Sequence, residues 1–241
     1  MQYDSEPRGS VIDRPSVKHG LENTYNLRKV FALLLFQVVI GFLGWITVYL
    51  IPSAKTWIAS QSSIFLGTII AQALLPFLVY AARGAFRKPA LGVLAYLLFA
   101  LLLAFNLSYL VLSVNKYLPQ VVVAHLFFIY FGLLLYTFAS YSDLGYSNGA
   151  LYIIGSVIVA YQTAVTMTDL EVSQLIITSL IMGVFGINLI FSSRLAVCRT
   201  HGQLTPPENP VVSSLTVYVY VFALILQVFY NFAKIFKNSR L

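Results

Sequence analysis

The stretch from Val30 to Ile51 reads VFALLLFQVVIGFLGWITVYLI, 22 residues without a charged side chain. An α-helix needs roughly 20 apolar residues to cross about 30 Å of hydrocarbon. The run is too long for the apolar core of a signal peptide, and the residues before it are polar and mixed in charge. It therefore predicts a transmembrane helix.

Six further apolar runs follow, separated by loops that contain Pro, Gly, Ser or Asn. They cover residues Ile64–Ala82, Ala90–Leu112, Gln120–Ala139, Ala150–Met167, Leu175–Phe191 and Val211–Phe232. Hydrophobic residues make up 59% of the 241 residues and charged residues 10%, too few charges to cover a water-facing surface. The sequence therefore predicts an all-α, polytopic membrane protein, a seven-transmembrane-helix bundle.

The composition divides the chain into three parts. Residues 1–29 are polar and contain Pro and Gly, so we expect a flexible N-terminal tail. Residues 30–233 hold the seven spans and form the membrane domain. Residues 234–241 form a short, basic C-terminal tail.

Lys and Arg in the short loops predict the orientation. Residues 1–29 hold five of them, the second loop three and the sixth loop two. The first and third loops hold one each and the fifth none, so we predict a cytosolic N-terminus. With seven crossings, the basic C-terminal tail lies on the opposite side, against the rule, unless one segment re-enters the membrane. We predict seven crossings.

The spans lack the groups that intramembrane enzymes use. All eight Asp and Glu lie in the tail or in loops. Catalysis within a membrane relies on paired Asp, on a Ser with a His partner, or on a metal cluster. Of the three His, only His125 lies in a predicted span, so His and Cys are too few for a metal site. We therefore expect no enzyme and no cofactor. Because the cations cluster beside spans, we also expect no nucleic-acid partner.

Polar side chains inside the spans indicate contacts between helices. His125 has two interpretations: it bonds a polar group of a neighbouring helix such as Asn106, Gln72 or Gln162, or it senses protons near neutral pH. The other amides either join helices or line a polar pathway through the bundle; they are Gln37, Gln72, Asn106, Gln162, Asn188 and Gln227. Glycines three residues apart predict close helix contacts at Gly41/Gly44 and Gly183/Gly186.

Several short segments, in order, resemble one family. Span six ends LIFSSR (Leu189–Arg194), PPENP (Pro206–Pro210) follows, and the last span includes SLTVYVYV (Ser214–Val221). Earlier segments agree: LRKVF at Leu27–Phe31, RKP at Arg87–Pro89, and the exit from span four at Tyr141–Leu144. In this order and spacing they resemble the transmembrane Bax inhibitor motif family, especially its lifeguard and Golgi anti-apoptotic branch, over about residues 25–233.

The resemblance implies an ion site that has been replaced. The family's two membrane aspartates fall on Ser192 and Tyr220, and a Gln falls on Arg194. Paired carboxylates share protons and suit a pH-gated cation site, which the family links to calcium leak from intracellular stores. Ser192 and Tyr220 carry no charge at neutral pH, and Arg194 repels a divalent cation. We therefore expect calcium conduction to be lost or altered.

Two functions remain open at this point. The first is a regulator of cell death and stored calcium that acts through other membrane proteins in endoplasmic reticulum, Golgi or plasma membranes. The second is a calcium-permeable leak channel of intracellular membranes. The chain also resembles seven-span proteins of cytomegalovirus-type herpesviruses, which implies host immune-ligand proteins as partners; viral and cellular origin both stay open.

Overall fold

A computed structural model describes residues 15–86, 88–113, 117–140, 146–197 and 209–238, with their side chains over 23–86, 88–113, 117–140, 147–197 and 209–231. Within these ranges the chain is helical almost throughout. The helices are α1 (Pro15–Leu50), α2 (Pro52–Ala59), α3 (Ser62–Ala81), α4 (Arg83–Phe86), α5 (Pro89–Ser113), α6 (Leu118–Ala139), α7 (Tyr146–Met167), α8 (Val172–Val197) and α9 (Pro210–Asn238).

Seven of the described helices are long and apolar enough to cross a membrane: α1, α3 and α5 to α9. The chain is therefore an integral, multi-pass membrane protein, and the predicted all-α bundle of seven spans is confirmed. In lipid, a helix satisfies its backbone hydrogen bonds internally, so long apolar runs adopt this structure.

The ends of the helices differ from the predicted boundaries. Helix α1 begins at Pro15, although residues 1–29 were expected to form a flexible tail. The turns before the apolar run are amphipathic, with Leu27 buried in the bundle while Tyr25 and Lys29 are exposed, so packing extends the helix. Helix α9 likewise continues to Asn238, past the predicted start of the C-terminal tail. The short helices α2 and α4 occupy loops for which no structure was predicted.

The core forms where α1, α6, α8 and α9 meet. Its buried side chains come from these four helices, with Ile153 added from α7. Among the largest are Leu34, Tyr130, Leu133 and Leu189, each almost completely inaccessible. A second cluster joins α3, α5 and α9 around Phe99 and Leu215. Helices α3 and α7 are peripheral, with the smallest buried shares of the seven spans.

Pro76 divides peripheral helix α3 into two halves that pack on different neighbours. Before it, Phe65 stacks on Tyr109 of α5 at 4.1 Å between ring centroids. After it, Phe77 meets Phe222 of α9 edge-on at 5.5 Å. Proline inside a helix removes a backbone hydrogen bond and permits a kink. Pro76 thus marks the change of partner along α3.

Cations gather at one end of the bundle, which we call the basic end; they are Arg28, Lys29, Arg83, Lys88 and Arg194. Arg28 donates to the Thr137 carbonyl at 2.8 Å and lies 4.1 Å above the Phe138 ring. Arg83 lies 3.7 Å from the centroid of Tyr80. Aromatic rings and basic groups are typical of a membrane–water interface.

Of the four glycines predicted to make close helix contacts, Gly44 and Gly186 are confirmed, Gly41 is at contact distance from Leu103 of α5, and the prediction for Gly183 is wrong. A methyl group on Gly44 would lie 2.7 Å from Cβ of Ala104, and one on Gly186 2.8 Å from Cγ2 of Ile153. At Gly183 the nearest such atom is 4.0 Å away, on Val157, so no close approach occurs there. Glycine is required where the side chains of a neighbouring helix, here Ala104 and Ile153, come this near.

We predict that Gly44→Val lowers the thermal stability of the purified protein in detergent, whereas Gly183→Val leaves it nearly unchanged. The first substitution forces α1 away from α5, and overpacking of this kind costs about 1–3 kcal/mol. The second extends into open space. Equal melting temperatures for the two variants would contradict this helix packing.

Candidate functional site

Ser192, one of the two positions where the family resemblance implies an aspartate, is completely buried in α8. Its hydroxyl donates to the Asn188 carbonyl one turn earlier, at 2.9 Å, and lies 3.3 Å from the Asn188 side-chain oxygen. Hydroxyls in membrane helices commonly bond their own backbone in this way. The Ser192 hydroxyl therefore finds its hydrogen-bond partner within its own helix.

Tyr220, the second position, faces α3. Its ring meets that of Tyr80 edge-on at 5.9 Å, and the Arg83 side chain is a close neighbour of its hydroxyl. The Arg83 Nε also donates to the Tyr80 carbonyl at 3.2 Å. A carboxylate at position 220 would therefore lie beside a guanidinium and form an ion pair with it.

Arg194 points in another direction, toward α1 and α6. With Leu27, Phe31, Leu133, Tyr136 and Ile190 it lines a void of about 10 Å³. This is at the lower limit for one water molecule, so a hydrated divalent cation does not fit. The described contacts of Arg194 are thus with α1 and α6, and those of Tyr220 are with α3. Neither side chain shares a described pocket with Ser192.

Asn106 joins α5 to α3 through two hydrogen bonds. Its Nδ2 donates to Gln72 Oε1 at 2.6 Å, and its Oδ1 accepts from the Thr68 hydroxyl at 2.6 Å. Asn188 joins α8 to α9 by donating to the Val221 carbonyl at 3.3 Å. The interpretation as helix-joining groups is confirmed for Gln72, Asn106 and Asn188. Gln162, by contrast, is exposed on α7 and joins no described helix.

His125 joins α6 to α8, but not through a predicted partner. Its Nδ1 lies 2.8 Å from the Val121 carbonyl and its Nε2 2.9 Å from the Ser179 hydroxyl. A carbonyl only accepts, so Nδ1 carries the proton and Nε2 of the neutral ring accepts from Ser179. The predicted bonds to Asn106, Gln72 or Gln162 are wrong, because those amides lie elsewhere. The proton-sensing interpretation stays a prediction.

A buried polar network in the core includes Gln37, one of the amides predicted to join helices, and tyrosines that the sequence analysis did not single out. The Tyr218 hydroxyl of α9 donates to Gln37 Oε1 of α1 at 2.9 Å, and Tyr218 packs in the same cluster as Tyr130 of α6. Tyr96 of α5 donates to the Leu33 carbonyl at 2.7 Å. Four helices are thus tied together near the middle of the bundle. Tyrosine is common at membrane interfaces, so its position in the sequence did not indicate a core role.

The described lipid-facing surface carries more than one apolar groove. One of about 460 Å³ lies between α6 and α7, and another, of about 440 Å³, lies between α7 and α8. Its walls are almost entirely aliphatic, and they include Ile153, Val157, Ile176, Leu180 and Val184. Ser179 lines the groove, and its hydroxyl is occupied by His125. The groove suits an acyl chain or an apolar helix and offers no charged group.

Among the described polar groups, Gln72, Asn106, His125 and Asn188 join helices, whereas Ser192 bonds its own helix. In the part of the chain that the structure describes, no three His, Cys, Asp or Glu side chains lie close enough to hold a metal ion. Asp143 and His201 lie outside the described residues.

Comparison of the chain with protein-family models, curated proteins and solved structures found no match.

We predict that Asn106→Leu destabilises the bundle, because it leaves both Gln72 and Thr68 without their interhelical partner. Such hydrogen bonds contribute on average about 0.6 kcal/mol each in a membrane protein, so a loss of about 1 kcal/mol is expected. Chemical unfolding in mixed micelles measures it. Gln162→Leu is the matched control and should have no effect; equal losses would contradict the assignment.

Proposed function

We propose that this membrane protein regulates other membrane proteins by binding them within the bilayer, and that it neither conducts cations nor catalyses a reaction. Asp and Glu are absent from all seven candidate spans, and this absence carries the proposal. Ion pathways through a bilayer are normally marked by ionisable side chains. A bundle without carboxylates in its spans retains its surface as the means of action.

The contacts of the replaced positions support an interaction protein over a calcium leak. The Ser192 hydroxyl has its hydrogen-bond partner in its own helix, and the Tyr220 side chain lies beside Arg83. Fixed positive charge at Arg83 and Arg194 opposes the approach of a divalent cation, most strongly where water is excluded. The polar groups Asn106, His125 and Gln37 are engaged in joining helices.

The exposed surface supports partners that are themselves embedded in the membrane. Helices α3 and α7 present most of their apolar side chains outward, and the groove between α7 and α8 adds a concave face. In lipid, helices associate through close packing and occasional polar contacts. This bundle offers surfaces for both, since it exposes apolar helix faces and also amides such as Gln162.

The family resemblance supplies the finer content of the proposal. It implies a lifeguard-type regulator of cell survival and stored calcium, with cell-death or calcium-handling proteins as partners. The similarity to herpesviral seven-span proteins adds immune-ligand proteins. The excess of Lys and Arg at the basic end favours a cytosolic N-terminus, and membranes of the endoplasmic reticulum or Golgi are the proposed location.

We predict that the tagged chain, recovered from gently solubilised cell membranes, carries specific membrane proteins with it. Quantitative mass spectrometry, against an unrelated seven-span protein expressed at the same level, measures the enrichment. Recovery of no membrane protein above that control would contradict an interaction function.

The same preparation, reconstituted in liposomes that contain a calcium dye, should pass no more calcium than protein-free vesicles at neutral or mildly acidic pH. An added ionophore verifies that the vesicles and the dye respond. A robust flux that changes with acidification would favour the leak channel instead.

A further inference from the structure

Helix α9 changes character halfway along its length. From Val212 to Val221 nearly every side chain is buried or half-buried, whereas from Phe222 to Asn231 all but Leu224 are exposed. Most of the exposed side chains are apolar, as lipid contact requires. Gln227 and Asn231 are the exceptions: two amides one turn apart, exposed and without a hydrogen-bond partner among the described residues.

The two amides point away from the bundle. Gln227 follows Tyr218 by nine residues, which at about 100° per residue places it on the opposite face of the helix. Tyr218 bonds Gln37 of α1, so this face is turned inward in the first half of α9. In the second half, Ile225 and Phe229 on the same face are exposed as well. Asn231, four residues further on, shares the outward face with Gln227.

On the C-terminal side of Tyr220, no described residue covers this outward face of α9. Tyr220 lies on the same face as Gln227 and is covered by Tyr80 of α3. The half of α3 that precedes Pro76 packs on α5 instead, through Phe65 and through Thr68 and Gln72. No described residue therefore lies between Gln227 and lipid.

Gln227 also lies inside the apolar layer. Tyr218 and Gln37 mark a common depth, and α1 and α9 run in the same direction from the basic end. At 1.5 Å per residue, α1 continues for about 20 Å beyond Gln37, whereas Gln227 is about 14 Å beyond Tyr218. The amide is thus about 6 Å short of the level at which α1 ends, and Asn231 is close to that level.

We propose that this outward face of α9 binds a second copy of the chain, in a parallel dimer held by Gln227 and Asn231. An amide both donates and accepts hydrogen bonds, so each side chain is complementary to itself. Two copies inserted in the same orientation present these amides at the same depth, and a two-fold axis along the membrane normal brings each against its own counterpart. Lipid offers the Gln227 amide no partner.

The rest of the face suits close approach. Ala223 lies one turn before Gln227 on the same side, so a small residue and two amides follow one another at four-residue spacing. Small residues let two helix backbones approach, and amides then bond across the contact. The inference does not depend on the proposed regulatory function, since a dimer forms with or without other partners.

The dimer is tested with the full chain in liposomes at low protein density, where single-molecule photobleaching counts the subunits. We expect dimers for the unmodified chain and on the order of tenfold weaker dimerisation for Gln227→Leu combined with Asn231→Leu. Gln162→Leu, which removes an exposed amide from α7, is the matched control and should dimerise normally. Subunits that are monomeric at every density, or a double variant that dimerises like the unmodified chain, would overturn the proposal.

Cross-linking locates the face independently of stability. In a Cys198→Ser background, which removes the single native cysteine, Leu224→Cys flanks the amide face and Ile225→Cys lies well away from it. Oxidation in membranes should link copies that carry the cysteine at position 224 and leave those with position 225 unlinked. The reverse pattern, or equal linking at both, would contradict an interface centred on Gln227 and Asn231.

Discussion

Water is absent from the bilayer core, so polar groups there depend on partners other than water. The backbone meets this constraint by forming helices, and the side chains meet it by bonding between helices or to their own helix. Asn106 ties α5 to α3, Tyr218 ties α9 to α1, and His125 ties α6 to α8. The arrangement of the seven spans depends on these few bonds and on close contacts such as that at Gly44.

The same constraint explains how charge is distributed. Cations are kept at the basic end, where Arg28 and Arg83 lie against aromatic rings and bond backbone carbonyls. No span holds a carboxylate. At the two positions where the family resemblance implies aspartates, Ser192 donates a hydrogen bond to the backbone of its own helix and Tyr220 lies beside Arg83. The bundle can therefore be stable while the chemistry of a cation site is missing.

The sequence predicted the spans well because their length and apolarity follow directly from the thickness of the membrane. It could not predict the partners of the polar groups. His125 was assigned to amides, yet it bonds Ser179, because depth and helix neighbours are set by the packing of α6 on α8. Helix ends were misjudged for the same reason, since burial of Leu27 carries α1 beyond its apolar run.

The buried polar network of the core shows most clearly what could not be predicted from the sequence. Tyr218 looks in sequence like an ordinary aromatic residue of a span, and only its contact with Gln37 gives it a role. Amides were likewise indistinguishable from one another: Asn106 is buried between two partners, whereas Gln162 is exposed. A linear pattern gives the face of a helix but not what covers that face.

The central claim is that the polar groups of this bundle join helices and line no water-filled path. Its most direct test is the reactivity of Ser192→Cys, in a Cys198→Ser background, toward a charged, membrane-impermeant thiol reagent applied from both sides. Ser192 is completely buried, so we predict no labelling, while a cysteine at exposed Lys55 reacts readily. Rapid labelling at position 192 in the folded protein would show that water and ions reach this buried position, and would contradict the account.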